Sequence, residues 1–191
     1  MVLTPSTMVE LGTRAPEFEL PEVGGGKVSS PDFSDKSALL VMFISQHCPY
    51  VQHVRHELAR LGRDYADSRL GIVAISSNEV AGYPDDSPEN LNRMRREAGF
   101  TFPVCFDETQ DVAKAFRASC TPDFFLFDRN RILVYRGQLD DSRPGNRIPV
   151  TGKDLRAAID AVLKGEPVTT NQKASIGCNI KWKKGNEPDY F

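Results

Sequence analysis

Two hydrophobic patterns occur along the chain, continuous apolar runs and apolar residues at helical spacing, and together they predict most of its elements. Residues 38–44 and 70–76 are apolar almost throughout, which is typical of buried strands in a parallel sheet. Between them, apolar side chains recur every three or four residues from Val51 to Tyr65. This spacing predicts an amphipathic helix over about 49–66.

The remaining elements follow the same two patterns. We expect an entry hairpin over 14–29, a helix over 87–98 ended by Gly99, a strand over 102–106, a short helix over 111–116, two strands joined as a hairpin over 124–137 and a helix over 153–164 ended by Gly165. Strands that alternate with helices predict an α/β fold with a central sheet covered by helices. The closing hairpin adds antiparallel strands, so the sheet is expected to be mixed.

Residues 166–191 show weak periodicity, so we divide the chain into a domain over 1–165 and an extension over 166–191 that packs on it.

Composition narrows the class of protein. The chain has 191 residues with 40% hydrophobic and 26% charged residues, which suits one globular domain with a sizeable core. A formal charge of −2 gives no electrostatic reason to expect a nucleic-acid or anionic-membrane partner. The apolar runs are too short to span a bilayer, and residues 1–13 lack the pattern of a signal peptide. Four cysteines form no dense disulfide framework, so a cytoplasmic location is expected.

Cys48 is the strongest candidate for chemistry. It follows the first apolar strand, and Pro49 is the residue type favoured at the first position of a helix. Cys48 is therefore predicted to lie at the helix N-cap, where unpaired N–H groups and the positive end of the helix dipole favour thiolate. The alternative is a buried, inert cysteine that only fills space.

Four stretches carry a resemblance to a known family. They are Ala15–Phe18, the His47–Val51 motif HCPYV, Phe102–Phe116 and Thr121–Asp128. The HCPYV motif together with the ending Ile176–Trp182 resembles a subfamily of peroxiredoxin-like, thioredoxin-family proteins. Over about residues 13–165 the chain resembles the thioredoxin-like redoxin superfamily, and more closely its peroxiredoxins of the alkyl hydroperoxide reductase/thiol-specific antioxidant type. The resemblance implies a thioredoxin-like fold with a redoxin-type insertion.

The resemblance also implies roles for residues near Cys48. The Thr121–Pro122 bond is expected to be cis and to lie beside the cysteine, with an exposed Thr121 backbone that pairs with an extended substrate segment or holds a small one. Ser45 keeps a hydroxyl where peroxiredoxins have a threonine. Substrate is then expected to meet Ser45, Thr121 and Pro122 together with the neighbours of the thiol, which are His47, Pro49 and Tyr50.

The chain departs from the family in ways that affect its chemistry. Val51 stands where thioredoxins have a second cysteine, so Cys48 must be resolved by a distant cysteine or an external thiol. Val41 replaces a peroxiredoxin proline, and no match to the peroxiredoxin arginine is found. Among resolving cysteines, Cys120 is preferred because it lies two residues before Pro122, and Cys178 comes second.

These observations predict a thiol-based oxidoreductase that uses Cys48 as nucleophile on a peroxide or on a protein or small-molecule disulfide. No cofactor or metal is implied, an external thiol supplies the electrons, and a homodimer is compatible with the sequence. Two alternatives stay open: a redox-inactive binding module, and a metal-binding protein that uses Cys48 with nearby histidines. Cys105 is expected in the core, and Lys181, Lys183 and Lys184 are expected to form a solvated tail.

Overall fold

The structure is a computed structural model that describes residues 3–190. Its strands are β1 (Leu3–Pro5), β2 (Glu19–Pro21), β3 (Lys27–Ser29), β4 (Ala38–Phe43), β5 (Leu70–Ser76), β6 (Val104–Phe106), β7 (Cys120–Thr121), β8 (Asp123–Phe127), β9 (Leu133–Gly137) and β10 (Ile176–Asn179). Its α-helices are α1 (Pro49–Asp64), α2 (Pro88–Ala98), α3 (Asp111–Ala115) and α4 (Lys153–Lys164). Within the described range, no helix is both long and apolar enough to cross a membrane.

The central sheet has five strands in the order β6-β5-β4-β8-β9. Strands β4, β5 and β6 are parallel, whereas β8 pairs antiparallel with both β4 and β9. This arrangement confirms the predicted mixed sheet, with parallel βα units first and a closing hairpin. Every residue of β4 and β5 is buried, as expected for inner strands that are covered on both faces.

Each face of the sheet has its own hydrophobic cluster. Leu40 and Met42 of β4 join residues of α1, α2 and α4 on one face. Leu39, Val41 and Phe43 point to the other face and join the β2–β3 hairpin and the end of α3. Alternate residues of one strand therefore hold both layers in place.

Several predicted boundaries shift by one or two residues. β6 begins at Val104 rather than at 102, because Pro103 has no N–H with which to continue a sheet ladder. α1 ends at Asp64 rather than at about 66. α2 and α4 end where expected, since Gly99 and Gly165 adopt left-handed backbone conformations with φ of 73° and 72°.

A second, three-stranded sheet in the order β1-β10-β7 was not predicted from the sequence. Its middle strand, β10, belongs to the extension over 166–191. β10 pairs antiparallel with β7, placing Cys178 opposite Thr121, and with β1 on its other edge. The extension therefore lies directly on the segment that precedes Pro122.

Candidate active site

Cys48 lies at the junction of β4 and α1. Its backbone is extended, with φ of −75° and ψ of 117°, and Pro49 begins the helix. Cys48 is therefore the N-cap residue, as predicted, and its carbonyl accepts a hydrogen bond from Gln52 at 2.9 Å. The side chain is fully buried, so the thiol lies beneath other groups rather than at an open helix end.

Three kinds of contact surround the Cys48 sulfur. The Cys178 sulfur is 2.7 Å away, and the Thr121 carbonyl oxygen is 3.1 Å away. Backbone N–H groups of Val51 and Cys178 also interact with it. The hydrogen bond from Cys178 is the largest influence and lowers the pKa of Cys48, while burial opposes the shift. This hydrogen bond and the N-cap position both favour the thiolate form of Cys48.

The two other candidate cysteines differ in their relation to Cys48. Cys178 makes direct contact, and its pKa is raised because its proton is held in the hydrogen bond to Cys48. The Cys120 thiol instead donates to the Pro122 carbonyl at 3.7 Å, and burial raises its pKa well above the ordinary value. These contacts reverse the preference drawn from the sequence, since Cys178 rather than Cys120 lies against Cys48. Cys105 is buried in the core as expected, and burial raises its pKa to about 12.

The Thr121–Pro122 peptide bond is cis, as predicted. The expectation that the Thr121 backbone is exposed was wrong. Thr121 is only 2% exposed, because β10 pairs with it and places Cys178 directly opposite. The chain's own extension occupies the place that the sequence argument left open for substrate.

A buried carboxylate organises the loop that leads to Cys48. Asp86 is fully buried and accepts hydrogen bonds from the Ser45 hydroxyl at 3.0 Å, the His47 ring Nδ1–H at 2.6 Å and the Asn78 amide at 2.7 Å. Burial acts to raise the pKa of Asp86, but the bonds from His47 and Asn78 outweigh it and lower the pKa. Ser45 and His47 are thus held in place by Asp86, which the sequence argument missed; its only signal was an acidic pair after Pro84.

Lys181 is a second residue that the sequence argument missed. The sequence predicts that Lys181 belongs to a solvated tail, but Lys181 is half-buried and its ammonium donates to the Asn179 carbonyl at 2.7 Å. The ammonium also lies 5.5 Å from the centre of the Tyr83 ring. Its charge interacts with both the Cys178 and Cys48 sulfurs, so the C-terminal extension supplies a cation as well as the second thiol.

The nearby histidines do not converge on the thiol. The His53 ring contacts the Ser142 hydroxyl at 2.8 Å, and His56 is exposed on α1. Over residues 3–190, no group of three or more His, Cys, Asp or Glu side chains is arranged to hold a metal ion. Tyr50 is half-buried beside the site, and its backbone N–H interacts with the Cys178 sulfur.

Solved structures of other proteins resemble this fold closely. An uncharacterised conserved protein from Geobacillus kaustophilus is 54% identical, with a TM-score of 0.93 and coverage of 96% of this chain and 97% of that one. A hypothetical protein from Sinorhizobium meliloti 1021 is 52% identical, with the same TM-score and coverage of 94% and 98%. The thioredoxin domain of a thiol-disulfide oxidoreductase from Bacteroides vulgatus has a TM-score of 0.57 at 20% identity, covering 67% and 88%. The last likeness confirms the thioredoxin-like fold.

The model of the AhpC/TSA family matches residues 11–136. The chain therefore belongs to the AhpC/TSA family, as the sequence motifs indicated. A Mycobacterium tuberculosis protein whose name assigns it provisionally to the peroxiredoxins is 28% identical over 116 residues, covering 61% of this chain and 69% of that protein. The thiol-disulfide oxidoreductase ResA of Geobacillus thermodenitrificans is 26% identical over 128 residues, covering 66% and 68%. Family and relatives support thiol-based oxidoreductase activity.

Proposed function

We propose that the protein is a two-cysteine thiol oxidoreductase in which Cys48 attacks the oxidant and Cys178 resolves the product. The observation that carries this proposal is the 2.7 Å separation of the two sulfurs. A disulfide bond is about 2.05 Å long, so the pair can bond after a small approach of the two side chains. The hydrogen bond between the two thiols lowers the pKa of Cys48 and raises that of Cys178, which supports Cys48 as the nucleophile and Cys178 as its resolving partner.

The chemistry balances with either class of oxidant. A hydroperoxide loses its distal oxygen to the Cys48 thiolate, giving sulfenic acid and releasing water or an alcohol once a proton is added. The Cys178 thiol then displaces that hydroxyl as water and forms the Cys48–Cys178 disulfide. With a disulfide, Cys48 expels one thiolate and forms a mixed disulfide, and Cys178 expels the second. Two electrons leave the cysteine pair in each case, and two external thiols return them.

Peptide mapping under non-reducing conditions tests this proposal. After one equivalent of hydrogen peroxide, we expect a Cys48–Cys178 disulfide in the wild type. Cys178→Ser should accumulate Cys48 sulfenic acid instead, because it lacks the thiol that contacts Cys48. Cys120→Ser is the matched control and should form the Cys48–Cys178 disulfide as the wild type does, because Cys120 has its own partner at Pro122.

Three results would contradict the proposal. A Cys48–Cys120 disulfide would assign resolution to the other cysteine. A wild type that stops at Cys48 sulfenic acid would require an external resolving thiol. An unmodified Cys48 after treatment with both hydrogen peroxide and a small disulfide would favour a binding module with no redox activity.

A further inference from the structure

Strand β10 pairs along one edge of β7, the short strand beside Cys48. Its register places Cys178 opposite Thr121 and Asn179 opposite Cys120. An extended polypeptide that presents a cysteine to Cys48 would use the same edge, since strands bind to free backbone edges. The chain thus fills this edge with a strand of its own that already carries a cysteine.

The contact between β10 and Thr121 is very close at Gly177. A Cβ atom added to Gly177 would lie 1.9 Å from the Thr121 carbonyl oxygen and 2.7 Å from its carbonyl carbon. Both neighbours are backbone atoms, so neither can rotate away. Only glycine allows β10 to lie in this register, and no gap remains between β10 and β7 for another chain.

Contacts on both sides of Gly177 hold the strand in place. The Ser175 hydroxyl donates to the Pro122 carbonyl at 2.6 Å, and the Ile180 N–H donates to the Ser119 carbonyl at 3.1 Å. Beyond the strand, the Lys181 carbonyl accepts from the buried Gln110 side chain at 2.9 Å. An incoming polypeptide would have to break these bonds before it could pair with Thr121.

We infer that β10 determines the specificity of the proposed reaction: it admits compact oxidants to Cys48 and excludes extended polypeptide disulfides. This inference rests on the proposed function. A hydroperoxide or a small disulfide needs no backbone edge, so movement of half-buried side chains such as His47 and Tyr50 gives it access. The electrons move as set out above, and only the shape of the oxidant is restricted. Gly177 is the residue that makes this restriction possible.

Two disulfides with the same leaving thiol test the inference on the full-length protein. One is bis(2-hydroxyethyl) disulfide. The other is a linear peptide of about ten residues that carries one cysteine as a mixed disulfide with 2-mercaptoethanol. The loss of the free Cys48 thiol is monitored by alkylation and mass spectrometry. The rate with each disulfide is then divided by the rate at which free cysteine reacts with the same disulfide. The wild type should favour the compact disulfide at least about tenfold.

Gly177→Ala separates shape selection from thiol chemistry. The added methyl group should move β10 away from Thr121, so the preference for the compact disulfide should fall severalfold and iodoacetamide should alkylate Cys48 faster. Gly82→Ala is the matched control, because its Cβ would meet only the flexible Glu79 carboxylate, at 3.0 Å. It should behave as the wild type. If Gly177→Ala does not fold, Ser175→Ala removes the bond to Pro122 and should shift the preference in the same direction by a smaller factor.

Failure of this inference and failure of the proposed function give different experimental results. A wild type that forms the Cys48–Cys178 disulfide equally fast with both reagents overturns this inference and leaves the proposed function intact. An unchanged preference in the folded Gly177→Ala or Ser175→Ala protein also overturns it. A wild type that forms no Cys48–Cys178 disulfide with any oxidant overturns the proposed function itself.

Discussion

At the scale of single residues, Lys181 changes the electrostatics of the site. Helix α1 directs N–H dipoles at Cys48, and the extension adds a full positive charge that acts on both sulfurs. Lys181 interacts with both thiols, and burial lowers the pKa of Lys181 itself while the thiols act to raise it. A cation near a thiol favours the thiolate form and therefore lowers the pKa of that thiol.

Removal of this charge should slow the reaction of Cys48. We expect Lys181→Gln to raise the pH at which iodoacetamide alkylates Cys48 and to reduce the rate at pH 7 by about three- to tenfold. Lys181→Arg should restore most of the rate because it keeps the charge. Lys184→Gln removes an equal charge from an exposed position and should leave the pH profile unchanged. A profile that does not move in Lys181→Gln would show that the ammonium does not act on the thiol.

The site could be predicted from sequence only where its residues are consecutive. Cys48 and Pro49 gave the N-cap because the strand, the cysteine and the helix follow one another along the chain. Asp86 and Lys181 have no local signal, because Asp86 bonds to a residue about 40 positions earlier and the charge of Lys181 acts on Cys48 about 130 positions earlier. Gly177 did carry a signal, since a glycine within a strand often marks a close approach of another backbone.

At the scale of elements, Asp86 joins two loops that follow neighbouring strands. It lies in a short helical turn, Pro84–Asp86, and accepts bonds from the loop between β4 and α1. That loop holds Ser45 and His47 immediately before the thiol. The position of the thiol therefore depends on a carboxylate from a different part of the chain.

Replacement of this carboxylate should destabilise the protein. Asp86→Ala leaves several buried donors without an acceptor, so we expect a loss of about 2–4 kcal/mol in the free energy of unfolding at pH 7. Urea denaturation measures it, and Asp85→Ala, an exposed neighbour, should cost little. If Asp86→Ala unfolds at the wild-type midpoint, the network does not contribute to stability.

The same variant should reveal a defined pH dependence. The pKa of Asp86 is lower in the folded state than the ordinary value of about 3.9, so its stabilisation is present above about pH 4 and is lost as the pH falls through the folded value. The difference in stability between wild type and Asp86→Ala should therefore shrink in acid. A constant difference down to low pH would contradict this assignment.

A helix or strand could be predicted where its own residues carry a clear hydrophobic pattern. β4 and β5 stood out as apolar runs, and α1 stood out by its helical spacing. β10 was missed because it is four residues long, does not alternate clearly and gains its stability from β1 and β7, which lie far away in sequence. β7 has only two residues, too few for any periodicity to register.

At the scale of the whole molecule, the proposed disulfide would connect two distant parts of the chain. Cys48 and Cys178 are 130 residues apart, so the bond would close a loop that contains most of the fold. A cross-link of this kind restricts the unfolded chain more than the folded one, and long loops give large effects in the chain-entropy model.

Oxidation should therefore raise stability. We expect the oxidised protein to exceed the reduced protein by about 2–5 kcal/mol in the free energy of unfolding. Urea denaturation with and without dithiothreitol measures the difference, and Cys178→Ser should show none. An oxidised wild type that is less stable than the reduced form would mean that the folded structure must distort to accept the bond.

The pairing of β10 with β7 also has a consequence for biosynthesis. Cys48 is covered by a strand that the ribosome makes 130 residues later. At about 5–20 residues per second, the newly made thiol waits roughly 7–26 seconds before its covering strand is even synthesised. In each nascent chain, Cys48 is therefore not yet covered by β10. It is more accessible to oxidants and to other proteins at this stage than in the folded protein.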